Sequence, residues 1–253
     1  MDKTLGSKPL ERGKRNPERP SSELALGPLV ACVGPKSYFS DTERKRLMKE
    51  AEFVAWNSNE EMLLISDINQ ENKRSEGYIN CTGIALVGLD KTGRNISLLT
   101  HQSIKNFVLP EYIPKFTRKI TEAMGDFSEH LDEHNPNISA MIFGGNYFDD
   151  KAATLTYETT GKHEQEEGSP TMGDDYRKAI KVLGALIQNS LHVKPRVAIG
   201  PNMVSGKEIE VVLDTKNRRL YIMRPIQPGL GTQVSFEPDE VDIRANIWKK
   251  DAE

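Results

Sequence analysis

The chain is 253 residues long, 37% hydrophobic and 28% charged, with 19 glycines and 14 prolines, the proportions of one globular domain or two small ones and not of a fibre or repeat array. A formal net charge of -3 leaves no global positive field to hold nucleic acid or an anionic membrane, so neither is expected as a partner. Its 2 cysteines, Cys32 and Cys81, exclude a thiolate zinc cage and a multiply cross-linked secreted scaffold, and they point to a reducing, cytoplasmic compartment.

Residues 1–25 carry Lys3, Lys8, Arg12, Lys14, Arg15 and Arg19 among prolines and serines without periodicity, which predicts a disordered basic tail. No apolar block follows these basic residues, so a Sec-type signal is not expected. Pro28 to Val33 is an apolar strand candidate, and Asp41 is placed to cap a charged helix running through Glu52. Met62 to Ile65 predicts a short strand, and Asp67 to Glu76, polar apart from Ile68, predicts a surface loop. Gly83 to Leu89 and Asn95 to His101 are apolar β runs joined by Asp90-Lys-Thr-Gly93-Arg94, the composition of a hairpin turn. Both faces of the first run are apolar, Ile84 and Leu86 on one and Ala85, Val87 and Leu89 on the other, so the sheet is expected to be covered on both sides. Even these runs fall far short of the ~20 residues a membrane helix needs.

Ile113, Phe116, Ile120, Met124 and Phe127 recur at helical spacing and predict a helix to His130. A strand, Ile138 to Phe143, precedes a tight turn at Gly144-Gly145. Residues 149–173 read as a long polar insertion, after which Asp174 caps a helix to Leu191. Arg196 to Ile199, Ile209 to Leu213 and Arg219 to Met223 complete the strands, the last two as a hairpin. Residues 26–224 thus form one α/β domain, and 225–253 an irregular extension.

A turn centred on Lys91 opposes Cys81 to His101 on one face of the hairpin, with Cβ atoms about 4.5–5.5 Å apart. A register shifted by one residue would oppose His101 to Thr82 and turn Cys81 to the other face. In the first register a thiol meets an imidazole, the minimum apparatus for cysteine nucleophilic catalysis, because the imidazolium lowers the thiol pKa and supplies a proton to the leaving group. Such a thiol is expected to alkylate rapidly near about pH 6. Backbone N–H groups around Cys81, after a sharp turn at Gly77 to Asn80, are candidate oxyanion donors. The plainer reading of the same residues is a small buried cysteine and a hydrogen-bonded histidine at a strand end.

The order Cys81-Thr-Gly-Ile-Ala-Leu-Val-Gly-Leu-Asp, turn, Ile96-Ser-Leu-Leu-Thr-His101, helix, Met141-Ile-Phe-Gly-Gly145, helix, Glu208-Ile-Glu-Val-Val-Leu-Asp214, Arg219-Leu-Tyr-Ile222 resembles the chemoreceptor glutamine deamidase family (CheD) from about Ser75 to Arg224. The resemblance implies a layered α/β/β fold with antiparallel hairpins and hydrolysis of protein glutamine carboxamides. It implies Cys81 as nucleophile, His101 as general base and acid, and a hydroxyl residue upstream, Ser75, assisting the histidine. The family's Gly-Ser-Cys approach is replaced by Ile79-Asn80-Cys81, and the Cys-to-His interval is longer. No metal or organic cofactor is needed for this chemistry, and the expected partner is a protein substrate. Alternatives are a catalytically inactive protein-binding module of the same fold and another thiol acyl transferase or peptidase; export as an effector is the alternative to a cytoplasmic location.

His130 and His134 with Glu129, Asp132 and Glu133 have metal-ligand spacing, but so charged a helix end reads first as a solvated face. Cys32, in an apolar strand, is assigned to the core.

Overall fold

The computed structural model describes residues 27–35, 40–49, 51–54, 63–78, 81–146, 172–200 and 210–224. The predicted tail 1–25, the extension 225–253 and nearly all of the insertion 149–173 lie outside the described residues.

Two mixed five-stranded sheets make up the α/β architecture. Strands β1 (Val30–Pro35), β2 (Glu52–Phe53), β4 (Lys73–Glu76), β9 (Glu210–Asp214) and β10 (Arg219–Arg224) form the first sheet, in the order β1-β10-β9-β4-β2. Strands β3 (Leu63–Ile65), β5 (Cys81–Leu89), β6 (Asn95–Ser103), β7 (Ser139–Asn146) and β8 (Arg196–Gly200) form the second, in the order β3-β6-β5-β7-β8. Pairing is parallel for β1 with β10, β2 with β4 and β7 with β8, and antiparallel elsewhere. Three helices accompany them among the described residues: α1 (Asp41–Lys49), α2 (Ile113–Glu129) and α3 (Met172–Leu191), with a 3-10 turn at Ile104–Phe107 after β6.

Period-2 alternation in β5 sorts its side chains between two cores. Ile84 and Leu86 join Phe116, Ile120 and Phe127 of α2 and Leu183 and Ile187 of α3. Ala85 and Val87 face Val211, Leu213, Leu220 and Ile222 of the first sheet. The layers therefore run helix pair, second sheet, first sheet, and β5 is covered on both sides as its sequence predicts. Leu47 of α1 packs on the outer side of the first sheet against Val212 and Met223.

The sheets are also pinned by polar groups. Buried Arg218, in the β9–β10 turn, donates to the carbonyls of Val87 and Asn137 and to the Ser139 hydroxyl. Ser97 of β6 and Thr215 share a hydrogen bond of 2.6 Å between their hydroxyls.

Several expectations are corrected. The segment read as a surface loop from Asp67 to Glu76 ends in β4, paired on both sides by β2 and β9. Polar side chains are tolerated there because they are matched: Lys73 is fully buried, ion-paired with Glu52 at 2.7 Å and bonded to Asn69. Glu52, read as the end of α1, belongs to β2, and α1 stops at Lys49. Helix α3 starts at Met172, ahead of Asp174, so Met172 and Gly173 leave the insertion. Gly144-Gly145 is not a turn; β7 continues to Asn146, with the register shift against β8 falling between Gly144 and Asn146.

The β5–β6 register is corrected as well. Cys81 pairs with Ser103, Thr82 with Gln102 and Leu89 with Asn95, which centres the turn on Thr92 and not Lys91. The cause is local. Gly93 N–H donates to the Asp90 carbonyl and Asp90 N–H to the Arg94 carbonyl, while the Asp90 carboxylate accepts from the amides of Thr92 and Arg94. Gly93 takes φ +76, the left-handed residue that closes a three-residue hairpin loop. The slip is two residues, so the faces are conserved: Cys81 and His101 share the face toward the first sheet, but as diagonal neighbours, for which Cα separations are about 7–8 Å.

Candidate active site

The diagonal pair lies at the open end of the β5–β6 hairpin, where β4 of the first sheet packs against it. Ser75, on β4, reaches across the layer boundary: its Oγ lies 3.1 Å from His101 Nδ1 and donates to the Val54 carbonyl at 2.7 Å. Ser75 and His101 are 2% and 1% exposed. Cys81 is part-buried.

The Val54 carbonyl can only accept, so the single Ser75 hydroxyl proton goes to it, and Ser75 must accept from His101 Nδ1–H. Assigned from this network, the imidazole is the Nδ1–H tautomer, with Nε2 left as its basic nitrogen.

Tyr78 completes the group. Its ring stacks on the His101 imidazole with centroids 3.9 Å apart and planes 16° from parallel. The phenol donates to the Thr100 carbonyl at 2.9 Å, and Phe143 of β7 packs behind the ring at 5.0 Å. Gly77 just before it takes φ +83, the left-handed conformation a sharp turn requires. Ile79 and Asn80, the expected approach to the oxyanion donors, lie outside the described residues.

Electrostatically the site is neutral at rest. Burial pushes the Cys81 thiol up to about 11 and holds the His101 imidazole down at about 3. The sequence expectation of an imidazolium-activated, low-pKa thiol is corrected here, because burial disfavours the charged form of each group. Transfer of the proton from sulfur to imidazole is therefore uphill in the resting site, before attraction between the resulting charges is counted.

Neither protein-family models nor curated proteins match this chain.

Of the sequence-predicted residues, Ser75, Cys81 and His101 converge on one end of the inter-sheet layer. Sequence reading missed Tyr78, Phe143 and the Val54 carbonyl. Tyr78 sits in a segment without periodicity, and the only local signal for it is an aromatic residue beside Gly77. Cys32 is buried in β1 opposite Tyr221, as assigned. His130 and His134 are exposed; His130 Nδ1 bonds the Asp126 carbonyl and His134 N–H the Asp132 carboxylate. Among the described residues no cluster of three or more His, Cys, Asp or Glu is arranged to hold a metal ion, and no helix is long and apolar enough to cross a membrane.

Proposed function

We propose that the chain is a thiol-dependent amidohydrolase that deamidates glutamine side chains of a protein substrate, in the manner of the CheD family it resembles. The observation that carries the reading is Ser75 on His101 Nδ1, with Cys81 on the same face of the same hairpin. The hydroxyl sits six residues before the cysteine, where the family has threonine. The order of layers, helix pair on sheet on sheet, supports the same assignment.

In the proposed cycle the Cys81 sulfur attacks the carboxamide carbon while its proton passes to His101 Nε2. The C–N bond breaks, and the imidazolium proton leaves with ammonia. Water then adds to the thioester, giving a proton to Nε2; the C–S bond breaks, releasing glutamate, and the proton returns to sulfur. Ser75 holds Nδ1–H throughout and so keeps the lone pair on the nitrogen that cycles. No metal or organic cofactor is invoked. A reducing, cytoplasmic location belongs to the same proposal, since catalysis through the Cys81 thiol requires that it stay reduced.

A second reading, a catalytically inactive module that docks a protein, is favoured by the resting neutrality of the thiol and imidazole. Incubation with a chemoreceptor cytoplasmic fragment separates the two. The hydrolase releases ammonia and converts glutamine to glutamate in the fragment, both abolished in Cys81→Ala. The docking module binds the fragment without ammonia release, and ammonia release undiminished in Cys81→Ala refutes the assignment of the nucleophile.

A further inference from the structure

We propose that Tyr78 is a positioning residue for His101: its ring is a fixed floor that holds the imidazole plane where Nδ1 meets Ser75, and it offers a π face to the imidazolium formed during turnover. The inference rests on the hydrolase reading for its purpose and on geometry for its content. A near-parallel stack at 3.9 Å fixes the plane of the neutral imidazole and, once the ring is protonated, holds the cation over a π face that stabilises it.

A gap in the strand pairing lies beside this ring. The β5–β6 ladder is interrupted at Gly83 and Ile84, between the pairs Thr82–Gln102 and Ala85–Leu99. There the Ile84 amide donates to the Thr100 hydroxyl at 2.8 Å, and the Thr100 carbonyl accepts from the Tyr78 phenol. A tyrosine hydroxyl thus occupies a carbonyl in the row just before His101, so the floor and the imidazole are anchored to adjacent residues of one strand. Gly83 is the second accommodation. A Cβ there would come within 2.6 Å of both Phe143 Cε1 and the Thr100 carbonyl, so only glycine leaves Phe143 free to back the tyrosine.

The atom that fixes the imidazole edge and the ring that fixes its face act on different degrees of freedom. Ser75 Oγ sets where Nδ1 points within the ring plane; Tyr78 sets the plane itself, including rotation about the Nδ1–Oγ axis. Loss of the floor is therefore expected to scramble orientation even with Ser75 present.

Nitrogen-labelled histidine NMR reads the His101 tautomer without any substrate, and a peptide with a chloroketone in place of the glutamine carboxamide reads His101-assisted attack by Cys81. Tyr78→Leu is expected to give a mixed tautomer and to slow chloroketone labelling about 10-fold or more, while labelling by iodoacetamide, too small to need the oriented imidazole, changes less than about 3-fold. Tyr78→Phe keeps the ring and is expected to retain the Nδ1–H tautomer and labelling within about 3-fold. A folded Tyr78→Leu with unchanged tautomer and unchanged labelling overturns the proposal, as does a Tyr78→Phe that scrambles the tautomer, a test that stands if the leucine variant does not fold. Should the chloroketone fail to label the wild-type chain, the hydrolase reading falls, and the tautomer measurements still decide whether Tyr78 positions His101.

Discussion

Reactivity of Cys81 toward a small alkylating agent follows directly from its environment. Burial raises the thiol from an ordinary 9.0 to about 11, which lowers the thiolate fraction at neutral pH roughly 100-fold. The more basic sulfur is intrinsically more nucleophilic, recovering about 8-fold at a Brønsted slope of 0.4–0.5, so the net expectation is a rate about 10-fold below that of an exposed thiol. The assay is iodoacetamide labelling followed by mass spectrometry across about pH 6 to 11, with Cys32 buried in β1 as the internal inert thiol. The rate should climb close to tenfold per pH unit without a plateau until about 11, and His101→Ala should leave that profile nearly unchanged, because the neutral imidazole with its pKa near 3 contributes no charge at rest. Rapid labelling at about pH 6 with a flat profile, lost in His101→Ala, would mean a preformed thiolate–imidazolium pair and would refute the neutral resting state.

Acid stability carries the signature of His101. Its pKa falls from 6.5 in the unfolded chain to about 3 in the fold, so protonation favours unfolding; its contribution is complete above about 6.5 and is lost toward 3, at up to about 1.4 kcal/mol per pH unit. Urea midpoints for wild type and His101→Gln should diverge over that window and run parallel above it, and parallel curves throughout would contradict the burial argument. Gly83→Ala should cost about 3 kcal/mol or more, since the new Cβ meets the Thr100 carbonyl as well as the Phe143 ring; a variant within about 1 kcal/mol of wild type by denaturant unfolding would show that the slot behind Tyr78 is loose. Arg218→Met leaves the acceptors at Val87, Asn137 and Ser139 without their donor in a buried layer and should cost about 3 kcal/mol by denaturant unfolding; a variant within about 1 kcal/mol of wild type would show these contacts to be dispensable.

What the sequence made legible was the alternation of apolar side chains. In β5 it sorted Ile84 and Leu86 from Ala85 and Val87, because the period of 2 is a local property of the strand, whereas which set meets the helices and which the other sheet is decided by the fold. Register was not local in the same way: whether the hairpin centres on Lys91 or Thr92 is decided by the Asp90 carboxylate gathering two amides and by the left-handed Gly93. The face common to Cys81 and His101 survived because the slip was even; a slip of one residue would have separated them. Strand β4 was invisible because every residue from Lys73 to Glu76 is polar. Their burial is licensed by partners distant in sequence, Glu52 for Lys73 and Val54 with His101 for Ser75, and no window of periodicity contains those pairings. Tyr78 was missed for a related reason: its place is set by a gap in the ladder of two other strands.

The central claim is that Cys81 and His101 act as one unit in amide hydrolysis. The rate of ammonia release from a chemoreceptor cytoplasmic fragment, measured for Cys81→Ala, His101→Ala and the double variant, tests it most directly. Each single change should remove about a thousand-fold or more of the rate, and the double variant should lose no more than the worse single, as residues that act in one step do. Losses that multiply in the double variant, or a Cys81→Ala protein that still turns over, would contradict the account.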